Sequence, residues 1–235
     1  MTVMAGIRKP DPFAVLEEER IAAVLRRLHH EARWQTISAG RHSLRHLPAF
    51  PGGHPVPLVI DDMACRGDKS IAIEERQAAF CYLTARTSQA RTIVEFGTSF
   101  GISTIWLAAA LRANGGGRVV TTEIVPERAR VARSNFEEAG LAELIEVRVG
   151  DALATLAADP AEIDLVLNDG SPGLALDIVK LLAPRMRPGA VVLTDDVGRS
   201  AASYRSYIAW IRDHANGFQS TLVPLKGGME YSVRR

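Results

Sequence analysis

The chain has 235 residues, with 28 Lys+Arg against 27 Asp+Glu and a formal net charge of +1. At 47% hydrophobic and 23% charged it has the balance of a folded domain with a buried core, which excludes disorder as its main state. It lacks the basic excess of a protein that grips many phosphates, so nucleic acid is not the expected partner.

The longest uninterrupted apolar run, Ile105 to Leu111, is seven residues. About 20 are needed to span a bilayer, so no membrane segment is expected. Met1 to Phe13 carries Arg8, Lys9 and two prolines without an apolar stretch, so no signal peptide is expected. Cys65 and Cys81 form neither a CxxC pair nor a zinc framework, which makes a reducing, cytoplasmic setting the expectation.

In chain order, Asp11-Pro12 offers an N-cap and a first-turn proline. Phe13, Leu16, Ile21, Val24, Leu25 and Leu28 follow at spacings that give a helix one apolar stripe. That stripe requires a partner surface, and a second copy of the chain is one candidate, so a homodimer is expected. Between Arg41 and Pro57, Pro48, Pro51, Gly52, Gly53, Pro55 and Pro57 break the pattern into a loop or lid. Residues 1–60 are therefore read as a helical and lid or dimerisation segment, and 61–235 as the main domain. A second amphipathic helix is predicted over Ile73 to Arg86, with Ile73, Gln77, Phe80, Cys81 and Thr84 on one face.

From about residue 91, short apolar runs alternate with helix-like segments, the rhythm of a parallel sheet covered on both faces. The predicted strands are Thr92–Phe96, Arg118–Glu123, Ile145–Val149, Ile163–Asn168 and Ala190–Thr194. One intervening helix is chemically marked, starting at Pro126 and stopping at Gly140. A helix around Ala201 to His214 precedes two last strands, Ser220–Leu225 and Met229–Arg234, joined through Lys226-Gly227-Gly228 as an antiparallel hairpin. The fold class is thus α/β: a doubly wound, mostly parallel seven-stranded sheet with an antiparallel C-terminal hairpin.

The first predicted strand runs directly into Gly97-Thr98-Ser99-Phe100-Gly101-Ile102-Ser103 and a helix. In a doubly wound sheet this turn holds a nucleotide-like ligand, because glycine lets the backbone approach and the helix start presents free N–H groups. A dinucleotide fingerprint needs Gly at 97, 99 and 102, and Ser99 and Ile102 occupy two of those positions. Glu95 also disfavours a pyrophosphate and favours a cationic ligand such as S-adenosylmethionine. Glu123, ending the second strand, suits the two hydroxyls of a ribose, and Asp151 suits an exocyclic adenine amine. Taken singly, each of these residues is more often a turn or cap than a ligand-binding group; their order on successive strands points to an adenosyl ligand.

The segment Glu95-Phe96-Gly97-Thr98-Ser99-Phe100-Gly101-Ile102-Ser103 resembles the first motif of class I S-adenosylmethionine-dependent O-methyltransferases of the catechol and caffeoyl-CoA type. Glu74-Glu75-Arg76-Gln77 followed by Phe80 is similar to that family's Glu-x-Gly-Gln-Phe helix, with Arg76 in place of glycine. The resemblance covers roughly residues 60 to 235. It implies that Gly97, Thr98, Ser99 and Gly101 line the methionine part, that Ser103 holds its carboxylate, and that Glu123 takes the ribose. It also implies that Asp151 with Ala152 flanks the adenine, and that Met63 contributes to the cofactor site. It implies a divalent cation, Mg²⁺ or another, on Asp169, Asp195 and Asp196, with Asp169 serving cofactor and catalysis as well. Asp196 stands where the family has Asn. The implied activity is methyl transfer to a hydroxyl oxygen of a small, aromatic or catechol-like acceptor.

Pro172 stands where family members carry the lysine that acts as general base. The proton acceptor is then a carboxylate, a histidine of the N-terminal segment, or water assisted by a metal. Rival readings are a metal-independent N- or C-methyltransferase, a nicotinamide dehydrogenase, and a methyltransferase-like binding module without chemistry.

Five of the six histidines, His29, His30, His42, His46 and His54, lie in the first 60 residues, beside Arg20, Arg26, Arg27, Arg33, Arg41 and Arg45. This basic segment reads either as an element that guides an anionic or aromatic substrate, or as a solvated helix face and loop. Trp34, Tyr204, Tyr207 and Trp210 are candidates for an aromatic pocket or for core. The charge of +1 is a cancellation between this segment and an acidic rim of Glu95, Glu123, Asp151, Asp169, Asp195 and Asp196.

Overall fold

The computed structural model describes residues 10–39, 72–158 and 162–235. Seven strands form one sheet: β1 (Thr92–Phe96), β2 (Arg118–Glu123), β3 (Ile145–Val149), β4 (Ile163–Asn168), β5 (Met186–Thr194), β6 (Phe218–Val223) and β7 (Met229–Arg234). Their order is β3-β2-β1-β4-β5-β7-β6. The first five are parallel, and β7 pairs antiparallel with both β5 and β6. This is the doubly wound arrangement expected from the alternation.

Residues two apart in a strand face the same side, and the sheet separates two cores accordingly. Ile93, Val119, Leu165, Leu167 and Leu193 pack into one; Val94, Val120, Val166 and Val192 pack into the other. The first core is covered by α1 (Glu19–Ala39), α2 (Glu75–Thr87) and α3 (Ile102–Ala113), together with Phe136 of α4 (Pro126–Ala139). The second is covered by α5 (Ala152–Thr155), α6 (Ala175–Leu182) and α7 (Arg205–Arg212). The apolar run Ile105–Leu111 is explained by the position of α3, which is buried along its length between the sheet and other helices. No helix among the described residues is long and apolar enough to cross a membrane.

Helix α4 has the ends predicted for it, with Pro126 in the first turn and Gly140 closing it at φ +70°. Elsewhere the boundaries moved. Asp11 caps a short 3-10 turn, Pro12–Val15, through its bond from the Phe13 amide at 3.1 Å, and α1 begins only at Glu19. Strand β5 starts at Met186 rather than Ala190, and β6 spans Phe218–Val223 rather than Ser220–Leu225.

The apolar stripe of the first helix is not left for a second copy of the chain. Ile21, Val24, Leu25 and Leu28 are buried in the chain's own core with Trp106 of α3. The premise for the homodimer expectation is thereby removed. His29 is buried with them and accepts the Trp106 Nε1–H at 3.2 Å, with Phe13 stacked on the indole. The predicted loop at 41–57, with His42, His46 and His54, and also Met63 and Cys65, lie outside the described residues.

Candidate active site at the carboxyl edge of the sheet

Strands β1 and β4 are neighbours whose following helices, α3 and α6, cover opposite faces. Such a switch point opens a crevice at the strands' carboxyl ends. The two ends are tied together: the Asp169 amide donates to the Phe96 carbonyl at 3.0 Å. Gly97 sits at φ +105°, where a Cβ would come within 2.7 Å of the Asp169 carbonyl oxygen, so only glycine lets β1 turn so close to β4. Gly101, at φ +85°, occupies the N-cap of α3 and leaves the space that the Phe136 ring fills.

The turn between these glycines is fixed from β2. The Thr98 amide donates to the Thr122 carbonyl at 3.0 Å, and the Thr98 and Thr121 hydroxyls share a hydrogen bond at 2.6 Å. Ser99 takes a positive φ of +49° and donates its amide to Glu123 Oε2 at 2.9 Å. Its hydroxyl is buried without a hydrogen-bond partner. A strained residue with an unpaired polar atom is where a ligand group is expected to complete the bonding.

Glu123 accepts the Val125 amide through Oε1 at 2.9 Å as well, so one N–H bond falls on each carboxylate oxygen. A carboxylate has further acceptor capacity on both oxygens. Beside it, Ile124 is 71% and Val149 40% exposed. Val149 pairs with Glu123 in the sheet and Ile124 directly follows Glu123, so the ends of β2 and β3 each carry an exposed apolar side chain. Sequence reasoning missed this patch; the one available signal was an isoleucine directly after the acidic strand end, where a polar turn residue is usual. Asp151 takes a more local role than expected, accepting the Leu153 amide at 2.7 Å as the N-cap of α5, which begins at the buried Ala152.

Glu95 does not line an open turn. It is fully buried beneath it, and its Oε2 accepts hydrogen bonds from the Thr104 and Thr121 hydroxyls while Oε1 has no partner. Burial pushes its pKa up, and the hydroxyls of Ser103, Thr104 and Thr121 offset part of that rise. Thr98 and Ser103 are likewise nearly closed off, so they shape the turn from below.

Across the crevice, Asp169 follows β4 and Asp195 and Asp196 follow β5. Burial raises the Asp169 pKa well above the usual carboxylate range, and Asp195, Glu95 and Asp196 add to it. Asp195 is 4% exposed and is pushed up to about 7 by burial and then by Asp196. The three carboxylates therefore feel one another's charge. Tyr204, read as a pocket or core aromatic, is buried where the same three aspartates raise its pKa further after burial does.

The three aspartates nevertheless do not form the expected metal centre. Among the described residues, no three His, Cys, Asp or Glu side chains are grouped so as to hold a metal ion. The chain's own groups also contact two of them. Gln77 Nε2 donates to Asp195 Oδ1, and Arg199 pairs with Asp196 at 3.5 Å. Oxygen donors of this kind suit a hard cation, but as placed the set does not fit one.

Proline, not lysine, occupies position 172. Pro172 opens a 3-10 turn, Pro172–Leu174, and Lys180 lies on α6 with Nζ 5.9 Å from the Trp210 ring centroid. Three of the arginines of α1 have partners in the chain. Arg20 donates to the Glu138 and Glu137 carbonyls at the end of α4, Arg27 pairs with Glu31 and Glu138, and Arg33 pairs with Glu75. These bonds fasten α1 to the domain, which favours the structural reading of the helical part of that segment.

The architecture agrees with what the chain resembles among known proteins. Residues 94–197 match a family described as a methyltransferase domain. The chain is 42% identical over 132 residues to a catechol O-methyltransferase of Mycobacterium tuberculosis, covering 55% of this chain and 58% of that one. It is 30% identical over 179 residues to a putative O-methyltransferase of Mycobacterium sp. (strain JLS), covering 69% and 79%. The match thus spans less than two thirds of the Mycobacterium tuberculosis relative, and more than two thirds of the second. Among solved structures, the O-methyltransferase TomG from Streptomyces achromogenes, determined in complex with SAM, superposes with a TM-score of 0.65 at 31% identity, covering 70% of this chain and 82% of that one. The chain belongs to the S-adenosylmethionine-dependent O-methyltransferases of the class I, Rossmann-like fold.

Proposed function

We propose that the chain transfers a methyl group from S-adenosylmethionine to a hydroxyl oxygen of a small aromatic, catechol-like acceptor. The observation that carries this reading is the meeting of the Gly97–Gly101 turn, Glu123 and the aspartates after β4 and β5 at one switch point. The cofactor supplies the methyl group on a sulfonium centre. Glu123 holds the ribose hydroxyls with its remaining lone pairs, while Ile124, Val149 and Ala152 shelter the adenine and Asp151 borders it. Gly97, Ser99 and Gly101 present backbone to the methionine end, over a floor made by Glu95, Thr98 and Ser103. Met63 is assigned to the same site by resemblance. The catechol named for the Mycobacterium tuberculosis relative supports the acceptor class.

An acceptor then enters from the β4–β5 side, since the cofactor fills the β1–β3 side. Asp169 stands at the junction and takes the acceptor's hydroxyl proton, the role left vacant by Pro172. Orientation of the two reactants in one crevice supplies most of the rate advantage. Gln77 and Arg199 contact Asp195 and Asp196 on that side of the crevice. That engagement favours a second reading in which transfer to oxygen proceeds without a metal.

Calorimetry with S-adenosylmethionine and S-adenosylhomocysteine tests the cofactor, and turnover of a catechol panel with and without EDTA tests the rest. Binding of neither nucleoside overturns the proposal. Activity that survives EDTA selects the metal-free reading, and activity lost on chelation and restored by Mg²⁺ selects the cation.

A further inference from the structure

Gln77 is 2% exposed, lies in the first turn of α2, and has no place in the cofactor half of the crevice. Its amide nitrogen donates to Asp195 Oδ1 after β5 and to the Lys226 carbonyl, at 2.7 Å, between β6 and β7. One side chain thus joins three segments that lie far apart in sequence. The second and third of these are already zipped together. The Val197 amide donates to the Gly228 carbonyl at 3.1 Å, and the Gly198 and Arg199 amides donate to the Gly227 carbonyl at 2.8 and 3.1 Å. Gly227 takes φ +81°, a backbone that strains any other residue, and a Cβ there would also displace the Asp196 carboxylate. The loop 195–199 and the turn 226–228 therefore behave as one unit, and Gln77 fastens that unit to α2.

A purely structural tie has no need of a buried aspartate, since burying a carboxylate is unfavourable and a neutral partner would serve the amide as well. The arrangement spends fold stability on keeping a carboxylate in one orientation, which is the usual mark of a functional group held by its neighbours. We propose that Gln77 is a positioning residue for the acceptor end of the site, holding the Asp195 carboxylate and the Lys226–Gly228 turn in a single arrangement against the β4–β5 side of the crevice. The inference rests on the methyl-transfer reading for its functional consequence, but the clamp itself does not depend on which acceptor is used.

The test compares the full chain with Gln77→Ala, both saturated with S-adenosylhomocysteine. Hydrogen exchange of the Val197, Gly198, Arg199 and Gly228 amides is expected to quicken at least tenfold, on the order of the loss of one charge-assisted hydrogen bond. The Ser99 and Gly101 amides and the affinity for S-adenosylhomocysteine are expected to stay within about twofold of the parent, as no bond to that half is lost. With catechol and S-adenosylmethionine as substrates, kcat falls and KM for catechol rises while KM for S-adenosylmethionine is unchanged. Unaltered exchange at 197–199 and 228, or a parallel loss of cofactor affinity, overturns the proposal. If the parent chain does not methylate catechol, the acceptor reading fails and the exchange pattern alone decides the clamp. Should Gln77→Ala fail to fold, Gln77→Glu keeps the side-chain shape, sets a carboxylate against Asp195 and is read by the same exchange pattern.

Discussion

Glu123 accepts the Ser99 amide at 2.9 Å, and through that bond the end of β2 sets the conformation of the turn after β1. The two halves of a cofactor, adenosine and methionine, would lie along these two strand ends, so Glu123 is placed both to hold one and to shape the seat of the other. Glu123→Gln keeps the acceptor oxygen for one amide and loses the charge. Hydrogen bonds to charged groups contribute about 1.5–3 kcal/mol, so the affinity for S-adenosylhomocysteine should fall about 10- to 100-fold in calorimetry. An unchanged affinity means that Glu123 does not hold the ribose.

Gly97→Ala is expected to damage binding and stability together. The new methyl would sit 2.7 Å from the Asp169 carbonyl oxygen, on a backbone at φ +105° that L residues avoid. Strain of this kind costs about 1–3 kcal/mol. The melting temperature should drop by a few degrees and the β1–β4 junction should open, weakening the nucleoside affinity. Gly173→Ala, where a Cβ has only the Ser171 hydroxyl at 4.0 Å, should leave both unchanged and serves as the control.

Asp169→Asn separates proton removal from binding. If Asp169 takes the acceptor's proton, kcat for catechol should fall by a factor of about 10² or more, the usual size of a general-base contribution. The affinity for S-adenosylhomocysteine should remain within a few-fold. Full activity in this variant would move the proton to another acceptor, with Asp195 the next to substitute.

Most of the sheet was legible because buried parallel strands declare themselves as short runs of Val, Ile and Leu, and four of the five predicted parallel strands have the predicted bounds. Strand β5 begins at Met186, ahead of Pro188-Gly189, and not at Ala190 as its run of apolar residues predicts. The pairing with β4 shifts register between Ile163 and Leu165, and Gly189 takes φ +80°, so the strand passes through an irregularity instead of ending. The places of the glycine turn and of Glu123 at the ends of β1 and β2 are legible for a local reason, since the strand and turn patterns that fix them are short and contiguous. The burial of Glu95 was not, because it depends on Thr104 and Thr121 closing over it from α3 and β2. The Gln77–Asp195 bond joins residues 118 positions apart, and no local pattern encodes it. The same holds for the arginines of α1, whose charge suggested an exposed basic face until their partners on α4 and α2 were placed.

His29 gives the fold a defined response to acid. Burial and then the nearby Arg33 lower its pKa from 6.5 to about 4, so the folded chain keeps it neutral where the unfolded chain protonates it. The group's folded pKa lies below its unfolded one. Its contribution is therefore complete above about pH 6.5 and is lost as the pH falls from there toward 4, below which both states are protonated. A difference of this size corresponds to about 3 kcal/mol as an upper figure. His29→Gln retains an acceptor for the Trp106 indole and has no titrating ring. Urea unfolding followed by tryptophan fluorescence at pH 7, 6, 5 and 4.5 should find the parent losing stability faster than the variant. The gap between them at pH 7 should narrow or reverse by pH 4.5, while parallel curves would show that His29 titrates alike in both states.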